Sequence, residues 1–508
     1  MKILNSFLRW YLSHRIPQMK AYFENPQSIQ NQVLFPFLNR SINTEWGKLH
    51  NFKEIKNIKD FQKQTPVSKY EALAPYIEKM MLGEQNILYP GFVPCFSKSS
   101  GTTNDKSKYI PVSQENLKKG HLKGSLDAAA WWYESNPNTQ WFTNGKGLVM
   151  GGSWKVFNET PKIIAGDISA LLMQYMPPYA KFVQIPKLEI ALMSDWEQKI
   201  ERMVEALLKD NSVTNFSGVP TWTLVLMRKL LEASGKDNCL ELFPRFEVYM
   251  HGGVNFEPYR EQFKALFPSE KVQYRNMYNA SEGFFAAQIA KDEDMLLLLN
   301  NGVFFEFIPM SEYHSPNPIV LTAEEVELGV PYALIITTTA GLWRYDIGDV
   351  VEFTSLRPHK IRIVGRTQQY INVFGEELMV ANTDQALITV CKKHEAEINE
   401  YTAGPIFLEG NSKGGHEWII EFRQAPRDLA AFAKDLDDTL KTLNSDYEAK
   451  RHKDIALLPL KLNTVPMHTF MNWMKHRGKL GGQHKVPRLS NSRKYLDEIL
   501  HLTQEQQF

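Results

Sequence analysis

Cysteine is scarce in this chain of 508 residues. The three cysteines, Cys95, Cys239 and Cys391, are far apart and form no CxxC or zinc-ligand spacing. This usage excludes a disulfide-stabilised scaffold and a cysteine-based metal site, and it is typical of proteins from a reducing compartment.

Long hydrophobic runs are also absent from the sequence. No stretch reaches the roughly 18 continuous apolar residues of a membrane span. The N-terminal segment MKILNSFLRWYLSHR is interrupted by Arg9, His14 and Arg15, and no small-residue cleavage site follows it, which argues against a signal peptide. We therefore expect a soluble, cytoplasmic protein whose N-terminus is an amphipathic helix, and no membrane partner.

The chain has no excess of charge of either sign. Its 58 Lys and Arg residues nearly balance 57 Asp and Glu residues, for a formal net charge of +1. Such a chain has no global field that would draw it to nucleic acid or to an anionic membrane. An anionic ligand must therefore be held by local charges.

The sequence has the composition of an ordinary globular protein, with 43% hydrophobic and 23% charged residues. Its length favours two domains of unequal size. Residues 1–90 have mainly helical periodicity, and between 91 and 365 short apolar runs alternate with helical patterns, which predicts an α/β body. Asn300-Asn301-Gly302 lies between two apolar stretches and predicts a β-hairpin at about 295–308.

The pattern changes near residue 366 to shorter α+β units. We predict a helix near 376–396, strands near 405–409 and 416–423, and a long helix after Pro426. The simplest division is a domain of residues 1–365 followed by a smaller domain of residues 366–508.

The most informative segment is a hydroxyl-rich loop with one glycine: Ser99, Ser100, Gly101, Thr102 and Thr103, followed by Lys108. Backbone N–H groups and hydroxyls in such a loop can surround phosphate oxygens, and lysines add positive charge. The spacing is not that of a Walker A loop. On composition alone, a solvated Ser/Thr loop is an equally good interpretation.

Two further segments have candidate ligand-binding side chains. Tyr278-Asn279-Ala280-Ser281-Glu282 offers an aromatic ring for a base, a hydroxyl for phosphate and a carboxylate for Mg²⁺. A Gly348-Asp349 turn predicted after a strand presents a carboxylate that can accept two hydrogen bonds from a ribose diol. In isolation, a core tyrosine, a surface glutamate and a turn-capping aspartate are the commoner alternatives.

Taken in order, these segments resemble the adenylate-forming superfamily, and in detail the auxin-responsive Gretchen Hagen family of acyl acid–amido synthetases. The resemblance extends to Gly218-Val219-Pro220-Thr221-Trp222, His251-Gly252-Gly253-Val254-Asn255-Phe256 and Gln483-His484-Lys485-Val486-Pro487-Arg488, so that it spans nearly the whole chain. It implies an α/β fold in which a large N-terminal adenylate-forming domain with mixed sheets and helices is joined to a smaller mobile α+β C-terminal domain.

The resemblance also implies the reaction and its participants. A small carboxylic acid and ATP give acyl-AMP and pyrophosphate, and the amine of an amino acid then forms an amide and releases AMP, with Mg²⁺ as cofactor. The implied contacts are Ser99, Ser100, Thr102 and Thr103 with the β- and γ-phosphates, Tyr278 with adenine, Ser281 with the α-phosphate, Glu282 with Mg²⁺, and Asp349 with ribose. Gly101, Lys108 and Ala280 complete the implied nucleotide-binding set.

Three catalytic residues follow from the same resemblance: Glu282, Arg366 at the hinge, and Lys485, which enters the site during adenylation. Lys479 competes with Lys485 for that role. Asp346 departs from the basic residue of plant relatives, so its phosphate role is in doubt and Arg344 is the candidate to replace it.

The acyl acid cannot be named from the sequence. Trp222, Gly252, Gly253 and Val254 are the candidate substrate contacts, and Trp132 is one of several aromatic residues that could form apolar walls. Two alternatives stay open, an acyl-CoA ligase of the same superfamily and a non-catalytic nucleotide-binding regulator. The oligomeric state also stays open.

Overall fold

A computed structural model describes the chain over residues 2–99, 108–139, 141, 145–156, 162–176, 178–253, 256–367, 370–371, 376, 378–406, 414–444, 447–448, 451, 457–479 and 485–505. The chain divides into two compact units. The first unit comprises Met1–Phe256, Glu261–Ile347 and Val351–Arg362, and the second comprises Glu257–Arg260, Gly348–Val350 and Ile363–Phe508.

The N-terminal part of the first unit is helical, as predicted. Its helices are α1 (Lys2–Ser13), α2 (Ile16–Glu24), α3 (Pro26–Arg40), α4 (Glu45–Leu49), α5 (Ile58–Gln64) and α6 (Tyr70–Met81). Local signals set their starts: Pro26 opens α3, and the side chains of Thr44 and Asn57 cap α4 and α5. On α3, the buried Gln30 donates to the carbonyl groups of Leu299 and Val303, which ties these helices to the sheet.

A four-stranded sheet carries the start of the hydroxyl-rich loop. Among the described residues its order is β2-β1-β5-β4, and its strands are β1 (Cys95–Ser99), β2 (Lys108–Val112), β4 (Trp154–Val156) and β5 (Ile164–Gly166). Strands β1 and β2 are antiparallel, and Ser99 pairs with Lys108. The two ends of the loop are therefore adjacent.

The second sheet of the first unit has eleven strands among the described residues, in the order β12-β13-β14-β15-β11-β10-β9-β8-β7-β3-β6. They are β3 (Lys146–Val149), β6 (Gln184–Ile185), β7 (Val213–Gly218), β8 (Val248–His251), β9 (Gln273–Asn279), β10 (Phe284–Gln288), β11 (Met295–Leu297), β12 (Val303–Pro309), β13 (Pro331–Thr338), β14 (Tyr345–Leu356) and β15 (His359–Arg366). Strand β9 is parallel to β8 and antiparallel to β10, so it lies where the pairing changes direction.

The part of the chain before residue 366 also contains helices and short helical turns. They are a π-helical turn (Asn116–Leu122), α7 (Lys123–Ser135), α8 (Ile168–Gln174), α9 (Pro178–Phe182), α10 (Leu188–Ala191), α11 (Trp196–Leu208), α12 (Pro220–Ser234) and α13 (Arg260–Leu266), with 3-10 turns at Phe52–Glu54, Glu257–Tyr259 and Met310–Glu312. Helix α12 ends at Ser234, where Gly235 follows in a left-handed conformation with φ of 65°.

The predicted β-hairpin at 295–308 is wrong. Gly302 does make a bend, with φ of 69°, but β11 pairs with β10 and β15, whereas β12 pairs with β13. An Asn-Gly pair specifies a local change of direction only. The pairing of these buried strands is set by their distant partners.

The second unit is an α+β unit. It contains β16 (Tyr370–Ile371), β17 (Leu378–Met379), α14 (Val380–Lys393), β18 (Glu397–Ile406), β19 (Gly415–Gln424), α15 (Leu429–Leu443), β20 (Lys461–Val465), α16 (Thr469–His476) and α17 (Lys494–Glu505). The stacked rings of Tyr401 and Trp418, 5.7 Å apart, lie in its core. The strand predicted near 416–423 and the helix predicted after Pro426 are confirmed as β19 and α15. The helix predicted near 376–396 is confirmed over Val380–Lys393, and the short strand β17 precedes it. Of the strand predicted at 405–409, residues 405 and 406 form the end of β18, which begins at Glu397 because β18 and β19 form a long antiparallel pair, and residues 407–409 lie outside the described residues.

A search of the described residues finds no helix that is long and apolar enough to cross a membrane. The predicted amphipathic helix at the N-terminus is present as α1.

Candidate functional site

The centre of the candidate site is a tight turn that joins β9 to β10. The backbone N–H of Ala280 donates to the carbonyl of Gly283 at 2.9 Å, and the N–H of Gly283 donates back at 3.3 Å. Between them lie Ser281 and Glu282, each only 6% exposed. The turn follows the strand at which the sheet changes from parallel to antiparallel, and ligands of open α/β sheets commonly bind beside such a position.

The hydroxyl-rich loop begins beside this turn. Ser97, in β1, donates from its Oγ to Ser281 Oγ at 3.0 Å, and both side chains are buried. The structure thus brings two of the sequence segments together, although they are far apart in the chain.

Of the loop itself, Ser99 and Lys108 belong to β1 and β2. Ser100, Gly101, Thr102 and Thr103 lie outside the described residues. Lys108 Nζ lies 5.4 Å from the centre of the Tyr70 ring, a favourable cation–π distance.

The π-helical turn supports the other side of the β9–β10 turn, residues 280–283. Asn116 Nδ2 donates to the carbonyl of Glu282 at 3.2 Å, and His121 Nδ1 lies 3.1 Å from Asn279 Oδ1. Burial lowers the pKa of His121 to about 4, opposed by its contacts with Asn279 and the backbone of Ser281. His121 is therefore neutral near pH 7, and it holds the turn through hydrogen bonding without adding positive charge.

The sequence interpretation missed Asn116 and His121. π-Helical turns are rare and occur often at functional sites. The segment NLKKGHL gives no periodicity that distinguishes such a turn from the start of α7. The pair Gly120-His121 was the one signal in the sequence, and the burial of the histidine becomes evident only in the structure.

Tyr278 occupies the last buried position of β9. It is 5% exposed, and its ring meets Phe285 edge to face at 4.9 Å. Ala280, two residues later, is half-buried.

The backbone geometry explains why glycines occupy positions 252 and 253, directly after β8. A Cβ on Gly252 would lie 2.3 Å from the carbonyl oxygen of Met277, and Gly253 has φ of 87°. Both positions therefore require glycine for close approach of β8 to β9 and for the turn that follows. Trp222 is half-buried and packs edge to face on Trp196 at 4.5 Å. Val254 lies outside the described residues.

A charged cluster in the second unit contains three further predicted residues. Arg366 Nε and Asp349 Oδ1 are 2.9 Å apart, with side chains 36% and 15% exposed. Lys485 belongs to the same electrostatic environment, since its pKa is lowered to about 8 by burial and by Arg366, and is raised by Asp349. The side chain of Lys485 is nevertheless exposed, which makes its loss of hydration partial.

Asp349 does not lie in a turn after a strand, as the sequence suggested. It lies within the twelve-residue strand β14, immediately after Gly348, whose φ is 83°. The carbonyl of Gly348 accepts from the backbone N–H of Thr367 at 2.8 Å. The glycine thus produces an irregularity inside a continuous strand.

The idea that Arg344 replaces a basic residue at position 346 is wrong. The Arg344 side chain is 3% exposed, and its Nε lies 2.9 Å from the fully buried Glu306. Its Nη1 donates to the carbonyls of Gln62 and Thr65. Asp346 is also buried and accepts from the Tyr313 hydroxyl at 2.6 Å. Both residues stabilise the first unit.

The oxygen ligands at the β9–β10 turn are of the kind that would suit Mg²⁺ held largely by a nucleotide. Over the described residues, no group of three or more His, Cys, Asp or Glu side chains is arranged to hold a metal ion. Mg²⁺ commonly uses one or two carboxylates together with substrate phosphates and water. Glu282 would supply one carboxylate, and the nearby hydroxyl-rich segment suits the phosphates.

Three family models match the chain. The model described as "GH3 family N-terminal domain" matches residues 15–272, more than half of the chain, "GH3 family central domain" matches residues 296–366, and "GH3 family C-terminal domain" matches residues 381–494.

Individual proteins resemble the chain at low identity and high coverage. Indole-3-acetic acid-amido synthetase GH3.4 of Arabidopsis thaliana is 22% identical over 546 residues, which cover 91% of this chain and 89% of that protein. The solved structure of AtGH3.15 acyl acid amido synthetase in complex with 2,4-DB superposes with a TM-score of 0.78 at 17% identity, over 96% of this chain and 95% of that one. The solved structure of 2-hydroxyisobutyryl-CoA ligase in its postadenylation state superposes with a TM-score of 0.57 at 12% identity, over 97% of this chain and 92% of that one. The chain therefore has the fold of adenylate-forming enzymes.

Proposed function

Because the chain belongs to the GH3 family, we propose that it is an ATP-dependent acyl acid–amido synthetase. In the first half-reaction a carboxylate oxygen attacks the α-phosphorus of ATP, the bond to the β-phosphate oxygen breaks, and acyl-AMP and pyrophosphate form. In the second, an amino acid amine attacks the acyl carbonyl, AMP leaves, and an amide remains after the amine loses a proton.

One observation carries this proposal: the contact between Ser97 and the buried β9–β10 turn. It joins the root of the hydroxyl-rich loop to Ser281 and Glu282. An adenylating enzyme needs phosphate ligands from several chain segments at one place, because charge develops on the α-phosphate and on the leaving pyrophosphate together.

The first unit is assigned most of the nucleotide contacts. Ser281 would hold the α-phosphate, Tyr278 and Ala280 would border the adenine, and the segment from Ser99 to Thr103 with Lys108 would hold the outer phosphates. Glu282 would bind Mg²⁺, which when present neutralises phosphate charge. Asn116 and His121 fix the backbone from Asn279 to Glu282 and so would orient the side chains of Ser281 and Glu282.

The other charged residues of the proposed site belong to the second unit. Asp349 would accept from the ribose hydroxyls, with Arg366 holding its carboxylate in place. Lys485 would place its ammonium at the α-phosphate during adenylation, within a C-terminal domain that we take to begin near residue 366. Its lowered pKa makes this role dependent on pH.

The substrates and setting complete the proposal. A small carboxylic acid and an amino acid are the expected substrates, by likeness to relatives whose names state acid-amido synthetase activity. Trp222 and the Gly252–Val254 segment remain candidate contacts for the acid. The free thiols Cys95, Cys239 and Cys391 agree with a reducing, cytoplasmic setting.

A panel assay tests the proposal. The purified chain is incubated with ATP, Mg²⁺ and a set of carboxylic acids, alone, with coenzyme A, or with amino acids, and AMP and products are measured. We expect AMP release to depend on the acid and to be greatest with an amino acid. A thioester formed only with coenzyme A would indicate an acyl-CoA ligase, and nucleotide binding without turnover would indicate a regulator.

A further inference from the structure

A buried arginine, Arg488, follows Lys485 by three residues and is 9% exposed. Its Nη1 forms an ion pair with Glu400, and its Nη2 donates to the Tyr259 hydroxyl at 2.7 Å. The guanidinium carbon also lies 4.5 Å from the centre of the Tyr401 ring, within the range of a cation–π contact. The arginine is therefore held at three points within the second unit.

The partners of this guanidinium come from separate pieces of the second unit. Glu400 lies in β18, and its side chain is 13% exposed. Tyr259 is 1% exposed and lies in the 3-10 turn Glu257–Tyr259, which groups with the second unit although the chain on either side of it belongs to the first. Arg488 thus joins three segments that are far apart in the sequence.

The backbone beside this arginine is fixed to the same strand. The carbonyl of Pro487 accepts from the Thr402 hydroxyl at 2.7 Å. The carbonyl of Arg488 accepts from the backbone N–H of Ala403 at 2.8 Å, and the segment continues alongside β18 in a parallel bridge. Lys485 stands two residues before this fixed segment, so the contacts that hold the segment also determine where Lys485 begins.

The electrostatic environment of Lys485 depends on its position. Burial and the charge of Arg366 lower its pKa to about 8, whereas Asp349 raises it. Each of these effects weakens as the ammonium moves away. A displaced Lys485 would therefore have a pKa closer to the ordinary range of lysine, and its titration reports whether it is held in place.

We propose that Arg488 is a positioning residue for Lys485. Held by Glu400 and Tyr259, it fixes the segment from which the ammonium reaches the α-phosphate during adenylation. A misplacement of about 1 Å in an active site can lower a rate by roughly 10²-fold. This inference rests on the proposed function, because that function gives Lys485 its task. The competing explanation is a buried ion pair that only stabilises the second unit.

Two variants weaken the anchor to different degrees. Tyr259→Phe removes only the hydroxyl that accepts from Arg488, and Arg488→Met removes the charge. We expect acid-dependent pyrophosphate release to fall roughly tenfold in the first and about 10²-fold in the second, as loss of a hydrogen bond to a charged group and misplacement of Lys485 do. ATP affinity and amide formation from chemically made acyl-AMP should stay at wild-type levels.

Tyr447→Phe is the matched control. The Tyr447 hydroxyl is likewise buried in the second unit and bonded to a charged side chain, that of Asp437, at 2.7 Å. Its loss should leave pyrophosphate release unchanged. Normal release in both Tyr259→Phe and Arg488→Met would overturn the proposal.

A double-mutant cycle separates positioning from stability. If Arg488 acts through Lys485, Arg488→Met should have no further effect on pyrophosphate release once Lys485→Ala is present, whereas independent effects would multiply. Multiplied effects would overturn the proposal in favour of a structural ion pair. If Arg488→Met does not fold, Tyr259→Phe takes its place in the cycle.

Chemical labelling of Lys485 needs no catalysis and so separates this inference from the proposed function. An amine-reactive acylating reagent is applied to the full chain over a range of pH, and mass spectrometry reads the modification of each lysine. We expect the wild-type Lys485 to titrate near pH 8. In Tyr259→Phe and Arg488→Met its titration should move up towards the ordinary range of lysine, and in Tyr447→Phe it should not.

The labelling outcomes decide the two proposals independently. An upward shift in the anchor variants without any acid-dependent pyrophosphate release from the wild-type protein would support the anchor and refute the enzyme. Acid-dependent release by the wild-type protein, with equal titration of Lys485 in the wild type and in both anchor variants, would do the opposite.

Discussion

Ser97 donates a hydrogen bond from its hydroxyl to that of Ser281 at 3.0 Å, across 184 positions of the chain. Both residues are buried, one at the root of the hydroxyl-rich loop and the other in the turn after β9. The phosphate contact that we propose for Ser281 therefore depends on the orientation that Ser97 gives to its hydroxyl.

Replacing these serines should reduce adenylation to different degrees. We expect Ser281→Ala to lower acid-dependent pyrophosphate release by about 10- to 100-fold, because a hydrogen bond to a charged group is worth roughly 1.5–3 kcal/mol. Ser97→Ala, which affects only the orientation of Ser281, should have a smaller effect. Ser41→Ala removes a buried hydroxyl bonded to the Phe37 carbonyl and serves as the control. Equal rates in all three variants would remove Ser281 from the site.

Glu282→Gln should abolish Mg²⁺-dependent turnover while the protein stays folded. The substitution removes one charge, preserves the shape of the side chain and leaves the carbonyl that accepts from Asn116 unchanged. Pyrophosphate release at increasing Mg²⁺, with circular dichroism as the fold control, measures this. A near-normal rate would place the metal ligand elsewhere.

Asp349→Ala should weaken ATP binding more than acid binding. Charge-assisted hydrogen bonds to a ribose diol are worth roughly 1.5–3 kcal/mol each, and the acid makes no such bonds in our assignment. Calorimetry with ATP and with an accepted acid compares the two. Unchanged ATP affinity would leave Asp349 with only its ion pair to Arg366.

Adenylation should decline as the pH rises through about 8. The pKa of Lys485 is lowered to about that value, and the charged form needed at the phosphate exists below the pKa. Lys485→Arg should retain activity to higher pH, since arginine stays charged. Lys485→Ala should slow acyl-AMP formation by about 10²–10³-fold, as loss of a positioned electrostatic group does.

Two controls make the pH experiment specific. Lys479→Ala should leave the profile unchanged, and chemically made acyl-AMP should restore amide formation in Lys485→Ala. An alkaline decline that persists in Lys485→Arg would contradict the assignment. The full loss of adenylation in Lys479→Ala would show that the other lysine acts.

Arg344→Met should destabilise the protein without a specific effect on phosphate binding. Removing one member of a buried ion pair costs about 3–5 kcal/mol, because the partner, here Glu306, is left buried and charged. Denaturant unfolding measures this loss. Arg344→Met with Glu306→Gln should recover part of it. A stable variant with poor ATP binding would restore the phosphate role.

The sequence allowed the helical region of residues 1–90 and the α/β body to be predicted where the signals are local, and it identified candidate site segments that stay predictions. Hydroxyl-rich, Ser-Glu and Gly-Asp segments have recognisable chemistry, and a helix start such as Pro26 depends on nearby residues. The prediction that failed concerned strand pairing, which depends on partners that are distant in the sequence. The bend at Gly302 was predicted, but β11 and β12 join different neighbours.

Burial explains the other differences between the sequence predictions and the structure. Arg344 reads as a free cation in the sequence but meets Glu306 in the core, and Asp349 reads as a turn residue but lies within β14. His121 gave no strong signal in the sequence, since its contact with Asn279 depends on the elements that pack around it.

The most direct test of the central claim follows both products in one reaction containing ATP, Mg²⁺, an acid and an amino acid. We predict that amide and AMP accumulate in equal amounts, and that pyrophosphate is released only when the acid is present. Across a broad panel of acids and amino acids, AMP formation without amide, or no acid-dependent release of pyrophosphate, would contradict the account.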